Sequence, residues 1–137
     1  MPAKVFIDTN IVIYALGPAS DKASVVAPLL VGRPTISTQV LTEVTNVVSK
    51  RLAMSFAEIR RLLTKLEALC QVELINAKTI HSGLDVMERY RFSWFDSLII
   101  AAALEVGCET LFTEDLQHGQ VIENRLTIFN PFLPIAG

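Results

Sequence analysis

The chain predicts an α/β fold in which a mainly parallel sheet is covered by helices on both faces. Three observations lead there. Short apolar runs rich in β-branched and aromatic residues, such as Val5-Phe6-Ile7 and Thr110-Leu111-Phe112-Thr113, read as strands buried on both faces. Longer stretches between such runs carry apolar residues at helical spacing. The two kinds alternate along the chain, which within one sheet implies crossover connections and parallel neighbours.

The 137 residues suit one domain spanning 1–137, and no linker, repeat or low-complexity tract divides it. A composition that is 51% hydrophobic and 19% charged describes an apolar-rich globule rather than a disordered chain. No apolar run approaches the roughly 18 residues that would cross a bilayer. Met1 to Lys4 lead straight into a strand with no signal-peptide core, and Cys70 and Cys108 sit among apolar neighbours as core thiols. These features lead us to expect a cytoplasmic protein with no membrane contact. The net charge of −2 argues against gripping nucleic acid by bulk electrostatics. That balance turns slightly basic once four acids discussed below are set aside as a site, so charge does not decide.

In order, Val5 to Ile7 is the first strand, and Ile11 to Leu16 a helix broken by Gly17-Pro18. Asp21 to Val31 is predicted as a second short helix, limited by Pro28 and followed by Gly32. Thr35 to Thr38 is the second strand. From Gln39 a helix carries Val40, Leu41, Val44, Val47 and Val48 at helical spacing, with Glu43 at the margin of that stripe. Ser55 and Glu58 fit a capping box. The helix they open turns Ile59, Leu62, Leu63, Leu66 and Leu69 inward and Arg60, Arg61 and Lys65 outward. Val72 to Ile75 is the third strand. A helix from Lys78 to Tyr90 is expected to pack through Ile80, Leu84 and Met87, leaving His81 on the surface. Ser93 and Asp96 make a capping-box variant ahead of an apolar helix, Leu98 to Val106, which Gly107 stops. Thr110 to Thr113 is the fourth strand and Leu126 to Phe129 the last, before a tail from Pro131 to Gly137.

Four acids share a pattern within this layout. Asp8 and Asp115 lie at carboxyl ends of strands, Asp96 at a helix start, and Glu43 near the start of a helix that follows a strand. In a parallel sheet these places face one edge, where ligands bind. Four carboxylates gathered there repel one another unless a cation lies between them, and hard oxygen ligands suit Mg²⁺ or Mn²⁺. Such an ion suits phosphodiester hydrolysis, because it acidifies a water and stabilises the leaving oxygen. The same residues also suit plain helix caps and loop acids, and the pattern alone leaves both readings open. Glu114 competes with Asp115, since a strand one residue longer would exchange the two side chains.

Asp8-Thr9-Asn10, Leu41-Thr42-Glu43-Val44, Ser93-Trp94-Phe95-Asp96-Ser97-Leu98-Ile99 and Thr113-Glu114-Asp115-Leu116-Gln117-His118-Gly119 stand in this order in the chain. Together they resemble the PIN-domain ribonucleases, and most closely the VapC-type toxins of bacterial and archaeal toxin–antitoxin modules, over nearly the whole length. The resemblance implies a three-layer α/β/α sandwich and a metal-dependent endoribonuclease leaving a 5′-phosphate and a 3′-hydroxyl. It implies that Asp8, Glu43, Asp96 and Asp115 hold Mg²⁺ or Mn²⁺ and position the attacking water, with Asn10 and Thr113 orienting these acids. It further implies an RNA substrate, a cognate antitoxin laid over an apolar groove, and a homodimer. The apolar surfaces from Val25 to Val31 and from Ile59 to Leu69 could supply such contacts, or could simply be core.

Other residues carry weaker signals. His118 reads as a solvated loop histidine, Trp94 as a core residue, and Lys50, Arg51, Arg89 and Arg91 as candidates for phosphate contact. Two rival functions come from other classes. A phosphatase using Asp8 as a covalent nucleophile usually needs a second Asp two residues on, where this chain has Asn10. A catalytically silent PIN-fold binding module is disfavoured by four intact acids.

Overall fold

The structure, a computed structural model, describes residues 3–134. The expectations for Met1-Pro2 and for the end of the tail, Ile135 to Gly137, lie outside the described residues. Six strands form one sheet: β1 (Val5–Ile7), β2 (Thr35–Ser37), β3 (Gln71–Glu73), β4 (Thr110–Phe112), β5 (Val121–Ile122) and β6 (Leu126–Phe129). Their spatial order is β3-β2-β1-β4-β6-β5, and all pairs are parallel except β5 with β6. The helices are α1 (Thr9–Leu16), α2 (Asp21–Val26), α3 (Thr38–Lys50), α4 (Phe56–Leu69), α5 (Ala77–Tyr90) and α6 (Trp94–Glu105). Right-handed crossovers place α1 to α4 on one face and α5 and α6 on the other, giving the three-layer α/β/α sandwich.

The core is laid down in register across the sheet. Phe6 pairs with Leu111 and Leu111 with Ile128, and all three are fully buried. The chain order reverses beside β1. Connections run outward from β1 to β2 and β3, then cross back to β4 on its other side. That switch point, at the carboxyl ends of β1 and β4, opens a crevice between the outgoing chains.

Several expectations need correction. The second helix stops at Val26 and continues as a 3-10 segment, Ala27–Leu30, because Pro28 cannot donate the next helical bond. β2 ends at Ser37, whose hydroxyl caps α3 by accepting from the Val40 N–H, so Thr38 is already helical. β3 begins earlier than expected, with Gln71 N–H donating to the Pro34 carbonyl, and leaves Leu74 exposed beyond its end. α6 starts at Trp94, with Ser93 accepting from the Asp96 N–H, but the Asp96 carboxylate does not reach back to close the box. β5 was not foreseen. It forms through a tight turn whose central residues, Glu123 and Asn124, both take positive φ, closed by Arg125 N–H donating to the Ile122 carbonyl.

The largest correction concerns α5. Ile80 and Leu84 point to solvent, and the buried face is Thr79, Gly83 and Val86. α6 is apolar all round, with Ser97 to Ala103 buried without a break, and α5 lies close against it. A close helix pair needs small side chains at the contact, and Gly83 provides the smallest. A methyl built on Gly83 would stand 3.2 Å from the Trp94 ring. His81 is exposed, as expected. In the Ile59–Leu69 stripe of α4, Ile59 and Leu66 lie in the core and Leu62, Leu63 and Leu69 are half-buried against it; Val25 and Val31 are exposed. Gly83→Val, with two further methyls against Trp94, is expected to lower stability by about 1–3 kcal/mol in denaturant unfolding. A variant as stable as the wild type would show that the α5–α6 contact is looser than described.

Candidate active site

Asp8 ends β1 and caps α1. Its backbone N–H still donates to the Phe112 carbonyl at 3.0 Å, which holds it in line with the β1–β4 ladder. Its side chain is buried, with 7% of its surface exposed. One carboxylate oxygen accepts from the Thr9 N–H at 2.7 Å and the other from the Thr113 hydroxyl at 2.9 Å. Thr113, just past β4 and fully buried, reaches across the switch point to make that bond. Its hydroxyl oxygen also accepts from the Asp115 N–H at 3.2 Å. Asn10 donates to the Asp115 carboxylate at 3.1 Å, so the polar residues expected to orient the acids do touch them.

Asp115, not Glu114, turns toward this group. Glu114 accepts from the Tyr14 hydroxyl at 2.7 Å and pairs with Lys22 at 2.9 Å. Burial opposes ionisation of Glu114, yet these two donors hold its carboxyl below the usual range. Asp115 shifts upward, through burial and then through the charges of Asp96 and Glu114.

Glu43 lies in the second turn of α3, half-buried. Gln39, one turn earlier, donates to the Glu43 carboxylate at 2.9 Å and to the Phe95 carbonyl at 3.1 Å. This single amide ties α3 to the first turn of α6, where Asp96 stands, and links helices of opposite layers over the sheet's edge. Its orientation is fixed, since a flipped amide would set its oxygen against two acceptors. Sequence reasoning missed Gln39, because a neutral amide within an apolar helix carries no signal of its own. Burial, then Asp96 and Asp115, raise the Glu43 carboxyl, against Gln39 and the nearby Thr9 hydroxyl, which itself has no hydrogen bond of ordinary geometry.

The four acids therefore share one electrostatic neighbourhood. Asp8 is pushed up to about 6, chiefly by burial, with Asp115 and Asp96 adding repulsion and its Thr113 and Thr9 bonds opposing. Among the described residues, no three His, Cys, Asp or Glu side chains already stand grouped as an ion site. The donor set is nonetheless entirely hard oxygen, which suits a small divalent cation. Arg89 is paired with Glu123 at 2.6 Å, and Trp94 packs over Gly83. His118 is exposed but not merely solvated: its Nδ1 accepts from the Asn130 N–H at 3.0 Å and its ring meets Phe129 edge-on.

The upward shift of Asp8 has a consequence for stability. A carboxyl whose pKa rises on folding favours the folded state fully below its ordinary 3.8, and that contribution is lost as pH climbs through about 6. Asp8→Asn, which cannot ionise, is expected to be more stable than the wild type by about 2–3 kcal/mol at pH 7.5 in chelator. The gap should close near pH 4. Denaturant unfolding at the two pH values measures it, and an equal gap at both would contradict the shift.

The PIN domain family model matches residues 5–123. No curated protein sequence matches the chain. Among solved structures, a toxin–antitoxin complex from Klebsiella pneumoniae is similar with a TM-score of 0.72 at 19% identity, covering 94% of this chain and 98% of that one. Mycobacterium tuberculosis VapC20, described as a sarcin–ricin loop cleaving toxin, is similar at 0.67 and 16%, covering 82% and 92%. VapBC2 from Rickettsia felis, bound to a DNA fragment from their promoter, is similar at 0.66 and 22%, covering 92% and 98%. At such identities the likeness is one of fold. Because the family model spans most of the chain and its acids lie along one sheet edge, the chain belongs to the PIN domain family.

Proposed function

We propose that this chain is a metal-dependent endoribonuclease and the toxin of a toxin–antitoxin pair. The observation that carries the reading is the carboxylate group around Asp8. Acids from β1, α3, α6 and the loop after β4 converge there: burial raises the Asp8, Glu43 and Asp115 carboxyls, the Asp96 charge raises all three further, and a cation among them would offset that repulsion. Asp8, Glu43, Asp96 and Asp115 would hold Mg²⁺ or Mn²⁺. When bound, the ion supplies an acidified water and neutralises charge on the phosphate under attack.

The protein's own residues do the positioning. Thr113 and Thr9 fix both oxygens of Asp8, Asn10 steers Asp115, and Gln39 holds Glu43 at a set distance from the start of α6. Half-buried Asp96 and exposed Asp115 leave the acids open to solvent, so a polymer strand can reach them. The toxin–antitoxin assemblies among similar structures support an antitoxin as partner; self-pairing of the toxin is part of the same proposal. No described helix is long and apolar enough to cross a membrane; action on cytoplasmic RNA belongs to the proposal. A covalent aspartyl phosphatase fits less well: both Asp8 oxygens are already occupied by donors, and Asn10 binds Asp115 instead of serving as an acid.

The test is RNA cleavage by purified protein with Mg²⁺ or Mn²⁺, with chelator, and by folded Asp8→Asn and Asp96→Asn. Activity should disappear in chelator. It should fall by at least about a hundredfold in each variant, beyond the usual cost of a supporting partner. Undiminished cleavage in both folded variants would remove the acids from the reaction.

A further inference from the structure

A second feature adjoins the acids. A groove of about 570 Å³ opens between α3 and the first turn of α6, with Glu43 on its wall. Its surface is mostly apolar, formed by Val47, Ile75 and Phe95. Phe95 is the residue before Asp96, and its side chain is 62% exposed. It takes no part in the core, whereas Trp94 and Leu98 of the same helix pack over Gly83 of α5. At the rim stands Asn46, an exposed residue whose carboxamide makes no hydrogen bond among the described residues. The wall also holds two buried polar atoms without partners, the Thr9 hydroxyl and the Gln39 carbonyl oxygen.

Building on the ribonuclease reading, we infer that this groove is a nucleobase subsite, in which Phe95 stacks on a base of the RNA and Asn46 reads its edge. Charge selects the occupant. None of the described residues lining the groove is Lys or Arg, so nothing on its walls grips a phosphate, while the apolar surface accepts a neutral ring. Apolar walls and a free aromatic face suit a flat ring, for which stacking is the general mode on single strands. A carboxamide at the rim matches the paired donors and acceptors of a base edge, a match that an aliphatic side chain of a protein partner cannot use. The shared wall at Glu43 puts such a base beside the reacting phosphate, so Phe95 and Asn46 are specificity residues.

Uncharged nucleosides test this without metal and without cleavage. Adenosine, guanosine, cytidine and uridine are titrated into the wild type while the Asn46 carboxamide and the Val47 and Ile75 methyl signals are followed by NMR. Methyl riboside is the base-free control and N-acetyl-phenylalaninamide the protein-like one. At least one nucleoside should bind roughly 5- to 100-fold more tightly than methyl riboside. Phe95→Ala, which keeps the backbone carbonyl used by Gln39, should abolish that preference, and Phe95→Tyr should retain it. Equal binding of nucleosides and methyl riboside, or a preference unchanged in Phe95→Ala, would overturn the subsite. So would tighter binding of the phenylalanine amide than of every nucleoside, which would assign the groove to a protein side chain. RNA cleavage with no nucleoside preference would sink the subsite and leave the ribonuclease standing. Nucleoside binding lost in Phe95→Ala, with no RNA cut, would support the subsite and count against the ribonuclease.

Discussion

A carboxylate held out of water at the centre of a sheet's edge sets the terms for the rest of this molecule. Asp8 sits where β1 meets α1, and burial would disfavour its charge outright if two donors were not aimed at it. One donor, the Thr9 N–H, is an orphan of the helix that Asp8 itself caps, so the bond follows from the local chain. The other, Thr113, comes from across the switch point and depends on β4 pairing with β1 in its exact neighbour position. Helix capping and carboxylate placement are thus one arrangement, and the choice posed by the sequence between cap and site acid is no choice in the structure.

Packing far from the acids decides where the other carboxylates stand. Asp96 is carried by α6, whose unbroken buried stretch is locked between the sheet and α5 by the close contact at Gly83. Glu43 is carried by α3, and Gln39 fixes the spacing between that helix and α6 with two hydrogen bonds. Lys22 and Tyr14 draw Glu114 away and leave Asp115 to face the group. The repulsion among the acids is therefore held in place by the helix and strand contacts around them.

Local chemistry explains what was legible in the chain. Strands, caps and stops are written in neighbouring residues: Val5-Phe6-Ile7 before Asp8, and Ser55 with Glu58, which form the full capping box. The positions of the acids relative to one edge followed from the alternation of elements. What could not be read depends on distances between elements. Ile80 and Leu84 satisfy helical periodicity, but the approach of α5 to α6 selected the small face instead. Glu114 and Asp115 are equivalent in sequence until Tyr14 and Lys22 come near. The two-residue β5 has no periodicity to detect, and its turn uses Glu123-Asn124 where glycine would have been the signal. Gln39 gains its role only when the Phe95 carbonyl arrives beside it.

The claim that the four acids form one cation-seeking unit meets its most direct test in calorimetric titration of Mn²⁺ into the protein at pH 6 and at pH 8. At pH 6 Asp8 is about half protonated, so a bound ion must displace a fraction of a proton, and at pH 8 Asp8 has none to give. The account predicts saturable binding at both pH values, greater proton release at pH 6, and loss of binding in folded Asp96→Asn. Absence of binding to the wild type, or binding unchanged in that variant, would contradict it.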